Sequence, residues 1–306
     1  MKISIVTTIY KTEEYLDEFH RECLEVLQDT GRPEYEIIFT VDGSPGEWRP
    51  VVAALKARDP HVKVFELSRN FGHHIAIWCS LEHATGDLIF LIDSDLQVSP
   101  AIFKEFDAKL RKDGDLDVVY AYQAQPQGSV PKTWLRRAFW RIFRAVSSVE
   151  VPPDILTERL MRREYVDALL RLGDRNLFLA GMMHWTGFKQ LGVPTKRRTR
   201  AGSSYSFLRR VALSVDAITS FSDVPMRLLF TFGAAIAGVS LIGALALILD
   251  KILEPEMILG GFTSLSVLIL FSSGVITGSI GLLGIYIGKI FVQVRERPVY
   301  IVKRVF

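Results

Sequence analysis

Short apolar runs alternate with helical patterns along the first 122 residues. Five runs rich in β-branched and aromatic residues predict strands, at residues 3–10, 35–43, 62–68, 87–93 and 116–122. The segments between them carry apolar residues three and four positions apart, as at positions 16, 19, 23 and 27, and predict amphipathic helices. Because strands alternate with helices, we expect an α/β fold with a mainly parallel sheet and helices on its faces.

The last third of the chain shows a different pattern. Residues 228–249 and 257–288 form two uncharged stretches, each long enough to cross a bilayer as a helix of about 20 residues. Basic residues precede the first stretch and follow the second, so the positive-inside rule puts both chain ends in the cytoplasm. We therefore predict two transmembrane helices in the inner (cytoplasmic) membrane. The alternative is a pair of buried core helices.

Composition agrees with a cytoplasmic domain on a membrane anchor. The 306 residues are 49% hydrophobic, and the net charge is only +3. The N-terminus shows no secretory pattern, so the first two hundred residues are expected in the cytoplasm. The two cysteines, Cys23 and Cys79, lack metal-ligand spacing, which predicts a reduced compartment and no structural zinc. No nucleic-acid partner is expected.

Oxygen-bearing side chains follow two of the predicted strands. Asp93, Asp95 and Gln97 come directly after the fourth strand, and Asp42 follows the second. Ligands of open parallel sheets bind at the carboxyl ends of the strands. Carboxylate and amide oxygens suit Mg²⁺ or Mn²⁺ rather than zinc, and an incompletely held ion can also bind a diphosphate leaving group. The alternative is a pair of solvated turn acids before the next helix.

A basic segment precedes the membrane region. Residues 131–149 contain five basic residues and no acid. In a helix, Arg137, Arg141 and Arg144 share one face and the apolar residues share another. This pattern predicts a helix in the membrane interface whose arginines bind a lipid phosphate, or, alternatively, a general anchor on anionic lipids. Residues 205–219 predict a second interfacial helix.

Residues 36–44, 67–100 and 192–228 together resemble the family-two glycosyltransferases that act on polyprenyl phosphates. This group, which includes bactoprenol glucosyltransferases and dolichyl-phosphate mannose synthases, has the GT-A fold. The resemblance covers nearly the whole chain. It implies a nucleotide-sugar and metal-binding core over residues 1–130, an acceptor-side region over 131–224 and a two-helix anchor over 225–306.

The resemblance also implies roles for individual residues. The metal and the donor diphosphate would be held by Asp93, Asp95 and Gln97. The other donor-binding residues would be Tyr10, Asp42, Arg69 and His73. The catalytic group would comprise Asp95, Asp154 and Arg200, the last in a mobile loop over the diphosphate. The acceptor phosphate would meet Arg137, Arg141 and Arg144.

Several positions depart from the family pattern. Val41 stands where the family has the first acid of its second-strand motif, and Thr8 stands where it has a proline. Thr157 replaces an acid, and Ser204 replaces a lysine. A phosphate acceptor is already anionic and needs no base, so the loss at Thr157 is compatible with such an acceptor. Val41 and Thr8 border the expected pocket for the base.

The expected reaction is transfer of a hexose from a nucleotide sugar, with UDP-glucose as the expected donor, onto undecaprenyl phosphate at the cytoplasmic face. Direct displacement would invert the anomeric configuration. The alternatives are another donor, such as GDP-mannose, a lipid-linked glycan acceptor, or a catalytically silent membrane scaffold that binds nucleotide sugars. Membrane lipids are expected partners, and small residues over 274–288 allow a homo-oligomer through the membrane helices.

Overall fold

The structure is a computed structural model that describes residues 1–123, 141, 151–198, 219, 222, 224–253 and 261–306. The interfacial helices predicted over 131–149 and 205–219 therefore lie, apart from Arg141 and Thr219, outside the described residues. Arg137, Arg144 and Arg200 also lie outside them.

Strands and helices alternate in the first part of the chain, as predicted. A single 3-10 turn over Glu13–Tyr15 precedes the first helix. The strands are β1 (Ile3–Ile9), β2 (Tyr35–Val41), β3 (Val62–Leu67), β4 (Leu88–Leu91) and β5 (Val118–Gln123). The helices are α1 (Leu16–Asp29), α2 (Trp48–Arg58), α3 (His73–His83) and α4 (Ile102–Lys112).

The second part adds three strands and four helices among the described residues. The strands are β6 (Ile155–Arg162), β7 (Gln190–Thr195) and β8 (Val302–Val305). The helices are α5 (Arg163–Leu170), α6 (Leu179–Trp185), α7 (Val224–Leu253) and α8 (Phe262–Val294).

The eight strands of the described residues form one sheet in the order β7-β5-β6-β4-β1-β2-β3-β8. The block from β4 to β3 is parallel, and β5 pairs parallel with β7. Strand β6 runs antiparallel to both β4 and β5. The prediction of a mainly parallel α/β core is confirmed. The antiparallel position of β6 brings its first residues beside the carboxyl end of β4.

Two hydrophobic layers cover the sheet. One contains Phe90 and Leu160 with residues of α1, α2 and α4. The other contains Leu91 and Met161 with residues of α3, α5 and α6. The parallel strands are buried on both faces, which explains why β4 reads as a continuous apolar run rather than an alternating one.

A buried acid joins the strands at the edge opposite their carboxyl ends. Glu36 at the start of β2 accepts hydrogen bonds from Ser4 Oγ (2.6 Å), Lys63 Nζ (2.7 Å) and the Thr85 backbone N (2.7 Å). Burial raises the pKa of Glu36, but these hydrogen bonds lower it to about 2. All contacts of this carboxylate are structural, so it stabilises the sheet.

The long C-terminal helices are only partly as predicted. In the described ranges, one stretch, Phe271–Val294, is long and apolar enough to cross a membrane, and α7 has a shorter apolar segment over Val224–Ile236. Two spans are therefore not confirmed. The described residues leave the Phe271–Val294 stretch unburied, which does not match the buried-core alternative.

The C-terminal tail returns to the sheet, a feature that the sequence did not reveal. Strand β8 pairs antiparallel with β3, and the backbone N of Phe306 donates to the Val64 carbonyl (2.9 Å). The Phe306 ring packs edge-on against Trp48 at 5.9 Å. Strand β8 thus connects the end of the membrane-type helix α8 to the sheet.

Candidate active site

A cleft of about 450 Å³ opens at the carboxyl ends of the central strands. Each of β1, β2, β3 and β4 ends at this edge, because they run parallel. The residues lining the cleft are Thr8, Tyr10, Thr12, Asp42, Asn70, Gly72, His73, Asp93, Ser94 and Asp95. Five of the residues predicted from the sequence to bind the donor or the metal thus lie together.

The turn after β4 is anchored by its middle residue. Ser94 is buried, and its hydroxyl donates to the Thr8 carbonyl at the end of β1 (2.8 Å) and pairs with the Thr12 hydroxyl (2.9 Å). Because Ser94 is held in the interior, the flanking Asp93 and Asp95 are displayed in the cleft. The Asp-Ser-Asp pattern therefore places two cleft-lining carboxylates on either side of a structural hydroxyl.

Asp95 caps its own turn. Its Oδ1 accepts the backbone N–H of Gln97 (3.1 Å), and Leu96 between them has a left-handed φ of 54°. The Gln97 carbonyl accepts the backbone N–H of Arg198 (2.9 Å), which ties the basic segment after β7 to this turn. The Gln97 side chain is not among the groups lining the cleft, so its place as a metal ligand remains a prediction.

His73 links two sides of the cleft. Its Nδ1 lies 3.2 Å from the Thr8 hydroxyl, and its Nε2 lies 3.5 Å from Asp93 Oδ1. Thr8, which departs from the family pattern, therefore orients the imidazole toward the carboxylate. His73 is also the first residue of α3, so the start of this helix fixes the position of the imidazole ring.

Asp42 organises the loop between β3 and α3. Its two carboxylate oxygens accept the backbone N–H groups of Phe71 (2.7 Å) and Gly72 (2.9 Å), while its carbonyl accepts the Asn70 amide (3.1 Å). The side chain is 3% exposed. Asp42 lines the cleft, but its observed contacts position the wall rather than reach into the open space.

Gly43, the next residue, permits close approach of that same loop. Its φ is +59°, and a Cβ at this position would stand 2.5 Å from the backbone N of Asn70. The turn after β2 therefore packs directly against the β3–α3 loop.

Asp93 has an unusual electrostatic environment. Burial is the main reason that its pKa is raised, and the Asp95 carboxylate adds to the effect. His73, Arg197 and a hydrogen bond from the Thr157 hydroxyl oppose that rise. Thr157, which stands where the resembled family has an acid, thus donates to Asp93.

Glu158 is a further carboxyl group near Asp93, and sequence reasoning missed it. It is 3% exposed, and its Oε2 has no hydrogen-bond partner. Burial and the Asp93 carboxylate raise the pKa of Glu158 to about 8, so it is mainly protonated at neutral pH. The available signal was an acid directly after Thr157, one position from the family's acid.

The carboxylates fit a divalent ion that is completed by substrate. Within the described ranges, no group of three or more acidic, histidine or cysteine side chains is arranged to hold a metal by itself. Mg²⁺ sites, however, commonly use one or two carboxylates together with substrate phosphates. Asp93 and Asp95 supply that pair of hard oxygen donors in the cleft.

The remaining predicted residues lie outside the lining of the cleft. Arg69 is exposed, and its guanidinium stacks on the Phe71 ring at 4.1 Å. Asp154 precedes β6 with a left-handed φ of 60°, and its carbonyl accepts the Gln123 backbone N–H (2.9 Å). Arg141 is exposed. The roles predicted for these three residues stay predictions.

Comparison with known proteins assigns the chain to a family. The model of glycosyl transferase family 2 matches residues 4–170, more than half of the 306 residues. The chain belongs to glycosyltransferase family 2, as the sequence predicted, and is a sugar transferase by class.

Similar proteins match over the whole length. A Mycobacterium tuberculosis protein described as putative glycosyltransferases is 41% identical over 310 residues, covering 100% of this chain and 89% of that protein. The prophage bactoprenol glucosyl transferase homolog of Escherichia coli is 32% identical over 307 residues, covering 100% and 99%. The solved structure of S. aureus TarS 1-349 in complex with UDP-GlcNAc aligns with a TM-score of 0.47 at 17% identity, covering 73% and 68%.

Proposed function

We propose that this protein transfers a hexose from a nucleoside diphosphate sugar to a polyprenyl phosphate at the cytoplasmic face of the membrane, with UDP-glucose as donor. The observation that carries the proposal is the pair Asp93 and Asp95, displayed by a buried Ser94 in a cleft at the strand ends. The proposal needs Mg²⁺ or Mn²⁺ as cofactor.

On the donor side, Asp93 and Asp95 would hold the ion and, through it, the diphosphate. The ion would supply a Lewis acid that neutralises charge on the departing phosphate. His73 keeps Asp93 in place, and Arg197, which lies within electrostatic reach of Asp93, adds positive charge beside the leaving group. Tyr10, which is 45% exposed in the cleft, offers an aromatic face to the base. Arg200 is proposed to cover the diphosphate.

On the acceptor side, several relatives support a polyprenyl phosphate. Proteins named bactoprenol glucosyl transferase match 98–99% of their own length at 31–32% identity. Thr157 in place of an acid fits such an acceptor, because a phosphate oxygen attacks without losing a proton. Arg137, Arg141 and Arg144 are proposed to recruit the lipid at the interface.

The proposed step is a single displacement. A bond forms between an acceptor phosphate oxygen and the anomeric carbon, while the bond from that carbon to the donor's diphosphate oxygen breaks. The electron pair leaves with the nucleoside diphosphate, and the configuration inverts. No proton transfer and no sugar–enzyme intermediate are required.

The membrane arrangement is also part of the proposal. The Phe271–Val294 stretch would span the bilayer, and residues 228–249 would form the second span. The cytoplasmic end of α8 contacts the catalytic domain, because Gln293 Oε1 accepts the Arg175 backbone N–H (2.9 Å) and the Asn176 amide donates to the Lys289 carbonyl (3.3 Å). The cleft would therefore stand close to the lipid surface.

The experiment follows lipid-linked product from the purified full-length protein with undecaprenyl phosphate and a panel of labelled nucleotide sugars. Reactions run with Mn²⁺ or with a chelator, alongside Asp95→Asn and the exposed control Asp115→Asn. We expect metal-dependent transfer from one donor, lost in Asp95→Asn and kept in the control. Nucleotide-sugar binding without any lipid product would contradict the proposal and favour another acceptor or a silent scaffold.

A further inference from the structure

A second, smaller cavity lies beside the first residues of β6. It measures about 110 Å³, and its lining includes His74, Ile77, Leu91, Thr157, Arg159 and Met183. Most of this wall is apolar, yet it contains a guanidinium. At about 30 Å³ per water, the space equals three to four waters, which is room for the oxygens of one phosphate group.

Arg159 is a buried cation that has no acidic partner among the described residues. It is 3% exposed on β6, its Nε donates to the Thr157 carbonyl (3.2 Å), and its Nη2 donates to the Leu156 carbonyl (3.3 Å). The Nη1 group has no partner. In the part of the chain that the structure describes, Arg159 forms no ion pair.

Three titratable groups lie within electrostatic reach of Arg159: the phenols of Tyr165 and Tyr120 and the carboxyl of Glu158. Tyr165 also shares a hydrogen bond with Arg159, but both phenols are uncharged at neutral pH, because burial raises the pKa of Tyr165 to about 12 and also raises that of Tyr120. Glu158 is the neighbour in a strand whose side chains alternate between faces, with Leu160 in one hydrophobic layer and Met161 in the other. It therefore points to the opposite side of the sheet.

An uncompensated buried guanidinium is energetically unfavourable. Desolvating an ion costs several kcal/mol unless an opposite charge and full hydrogen bonding offset it. Two long bonds to carbonyls and the contact with the neutral Tyr165 phenol still leave Nη1 without a partner, and unsatisfied buried groups of this kind are rare in native proteins. An anion that enters the cavity would remove the penalty, because a guanidinium pairs well with phosphate.

The cavity lies next to the donor cleft. Thr157 lines the cavity and hydrogen-bonds to Asp93, which lines the cleft. His73 faces the cleft and His74, the next residue, faces the cavity. A group bound at Arg159 would be close to the donor's reacting end.

The cavity is also connected to the membrane-type helix. His74 Nδ1 contacts the Leu177 carbonyl (3.3 Å), and α6, which supplies Ala180 and Met183, begins two residues later. The preceding residues, 173–176, contact the end of α8, where the Gln293 amide donates to the Gly173 carbonyl (3.2 Å). The apolar side of the cavity therefore lies next to the segment that joins the domain to the membrane helix.

We propose that Arg159 binds the phosphate of the polyprenyl phosphate acceptor in this cavity, with the first part of the isoprenoid chain against Ala180 and Met183. The inference rests on the proposed function and deepens it by naming the acceptor site. The interfacial arginines recruit the lipid, whereas Arg159 receives its phosphate beside the sugar. Arg159 is thus a residue that contacts the acceptor.

The test compares Arg159→Lys and Arg159→Gln with Arg162→Gln, a control on the same strand whose guanidinium donates to backbone carbonyls away from the cavity. Acceptor KM, kcat and UDP-glucose affinity are measured for each. Since hydrogen bonds to charged groups are worth about 1.5–3 kcal/mol, acceptor KM should rise about 10- to 100-fold in Arg159→Gln and less in Arg159→Lys. Donor affinity and the control should be unchanged.

A second variant tests the inference even if the Arg159 variants fail to fold. Ala180→Leu fills the cavity without altering Arg159, and it should raise the acceptor KM while leaving UDP-glucose affinity at the wild-type value. An unchanged acceptor KM in Ala180→Leu, or a loss of donor affinity in Arg159→Lys, would overturn the inference.

Direct binding separates this inference from the proposed function. Geranyl phosphate, geraniol and inorganic phosphate are titrated calorimetrically into the wild type and Arg159→Gln without donor. Arginine-dependent binding of geranyl phosphate, tighter than that of inorganic phosphate and absent for geraniol, supports the site even if no transfer occurs. Equal binding of inorganic and geranyl phosphate overturns the lipid assignment. Transfer by the wild type with no arginine-dependent binding overturns the inference and leaves the proposed function standing.

Discussion

Replacing Glu158 by glutamine tests the electrostatics of the candidate site. In the folded protein, burial and Asp93 raise the pKa of Glu158 from 4.5 to about 8. Between these two pH values the folded protein keeps the proton and the unfolded chain releases it. The stability that this group contributes is therefore fully present below pH 4.5 and is lost as the pH rises through 8.

The magnitude follows from the size of the shift. One pKa unit corresponds to about 1.4 kcal/mol, so a rise from 4.5 to about 8 corresponds to about 5 kcal/mol. The side chain is 3% exposed, so solvent screening is small. Glutamine has a similar shape and does not titrate. The free energy of unfolding of Glu158→Gln, minus that of the wild type, should therefore increase by about 4 kcal/mol from pH 4.5 to pH 8, because the unfolded chain is only half ionised at the lower limit and the folded protein at the upper one.

The assay is urea unfolding in detergent with a chelator present, followed by tryptophan fluorescence at several pH values. Glu105→Gln on the exposed side of α4 serves as the control and should stay within about 0.5 kcal/mol of the wild type. Infrared difference spectroscopy at pH 7 gives a direct readout, because the carboxylic-acid band should be present in the wild type and absent in Glu158→Gln.

Parallel stability profiles for Glu158→Gln and the wild type would refute the reasoning. They would mean that Glu158 is ionised in the folded protein and therefore has a compensating partner. A carboxylic-acid band that persists in Glu158→Gln would instead assign the proton to Asp93, whose pKa is also raised by burial.

Three further outcomes are expected. Asp95→Asn should lower transfer at least about 100-fold and weaken Mn²⁺ binding in the presence of nucleoside diphosphate, because it removes one of the two carboxylates proposed to hold the ion. Unchanged Mn²⁺ binding by calorimetry would contradict this. Glu36→Gln should lower the free energy of unfolding at pH 7 by about 3 kcal/mol, since the folded pKa of about 2 lies below the usual 4.5. This stabilisation is present above pH 4.5 and is lost as the pH falls through 2. The stabilities of the variant and the wild type should therefore converge in acid. Gly43→Ala should destabilise the fold by about 1–3 kcal/mol and weaken donor binding. The reason is that the φ of +59° and the 2.5 Å approach to the Asn70 backbone leave no room for a Cβ. An unchanged donor affinity would show that the loop shifts without affecting the cleft.

The local sequence was sufficient for the parallel core and for part of the cleft. Alternation between strand and helix patterns predicted the central strands, and their parallel arrangement requires Asp42 and Asp93 to meet at one edge. The apolar run before Asp93 identified β4 because a strand buried on both faces carries no alternation. These features depend on periodicity and strand direction, which neighbouring residues encode.

Only the tertiary structure decided what surrounds those carboxylates. Strand β6 enters antiparallel beside β4, and no local pattern specifies which strand it pairs with, because pairing depends on contacts between residues far apart in sequence. That single placement brings Thr157 to Asp93 and leaves Glu158 buried and protonated. It also puts Arg159 in a cavity where no acid of the described part of the chain pairs with it and its Nη1 has no partner. A one-residue change of register would have exchanged the faces of Glu158 and Arg159, since side chains alternate along a strand. The chain thus encodes locally where its strands end, while the burial and charge that give those ends their chemistry arise only when distant strands pack together.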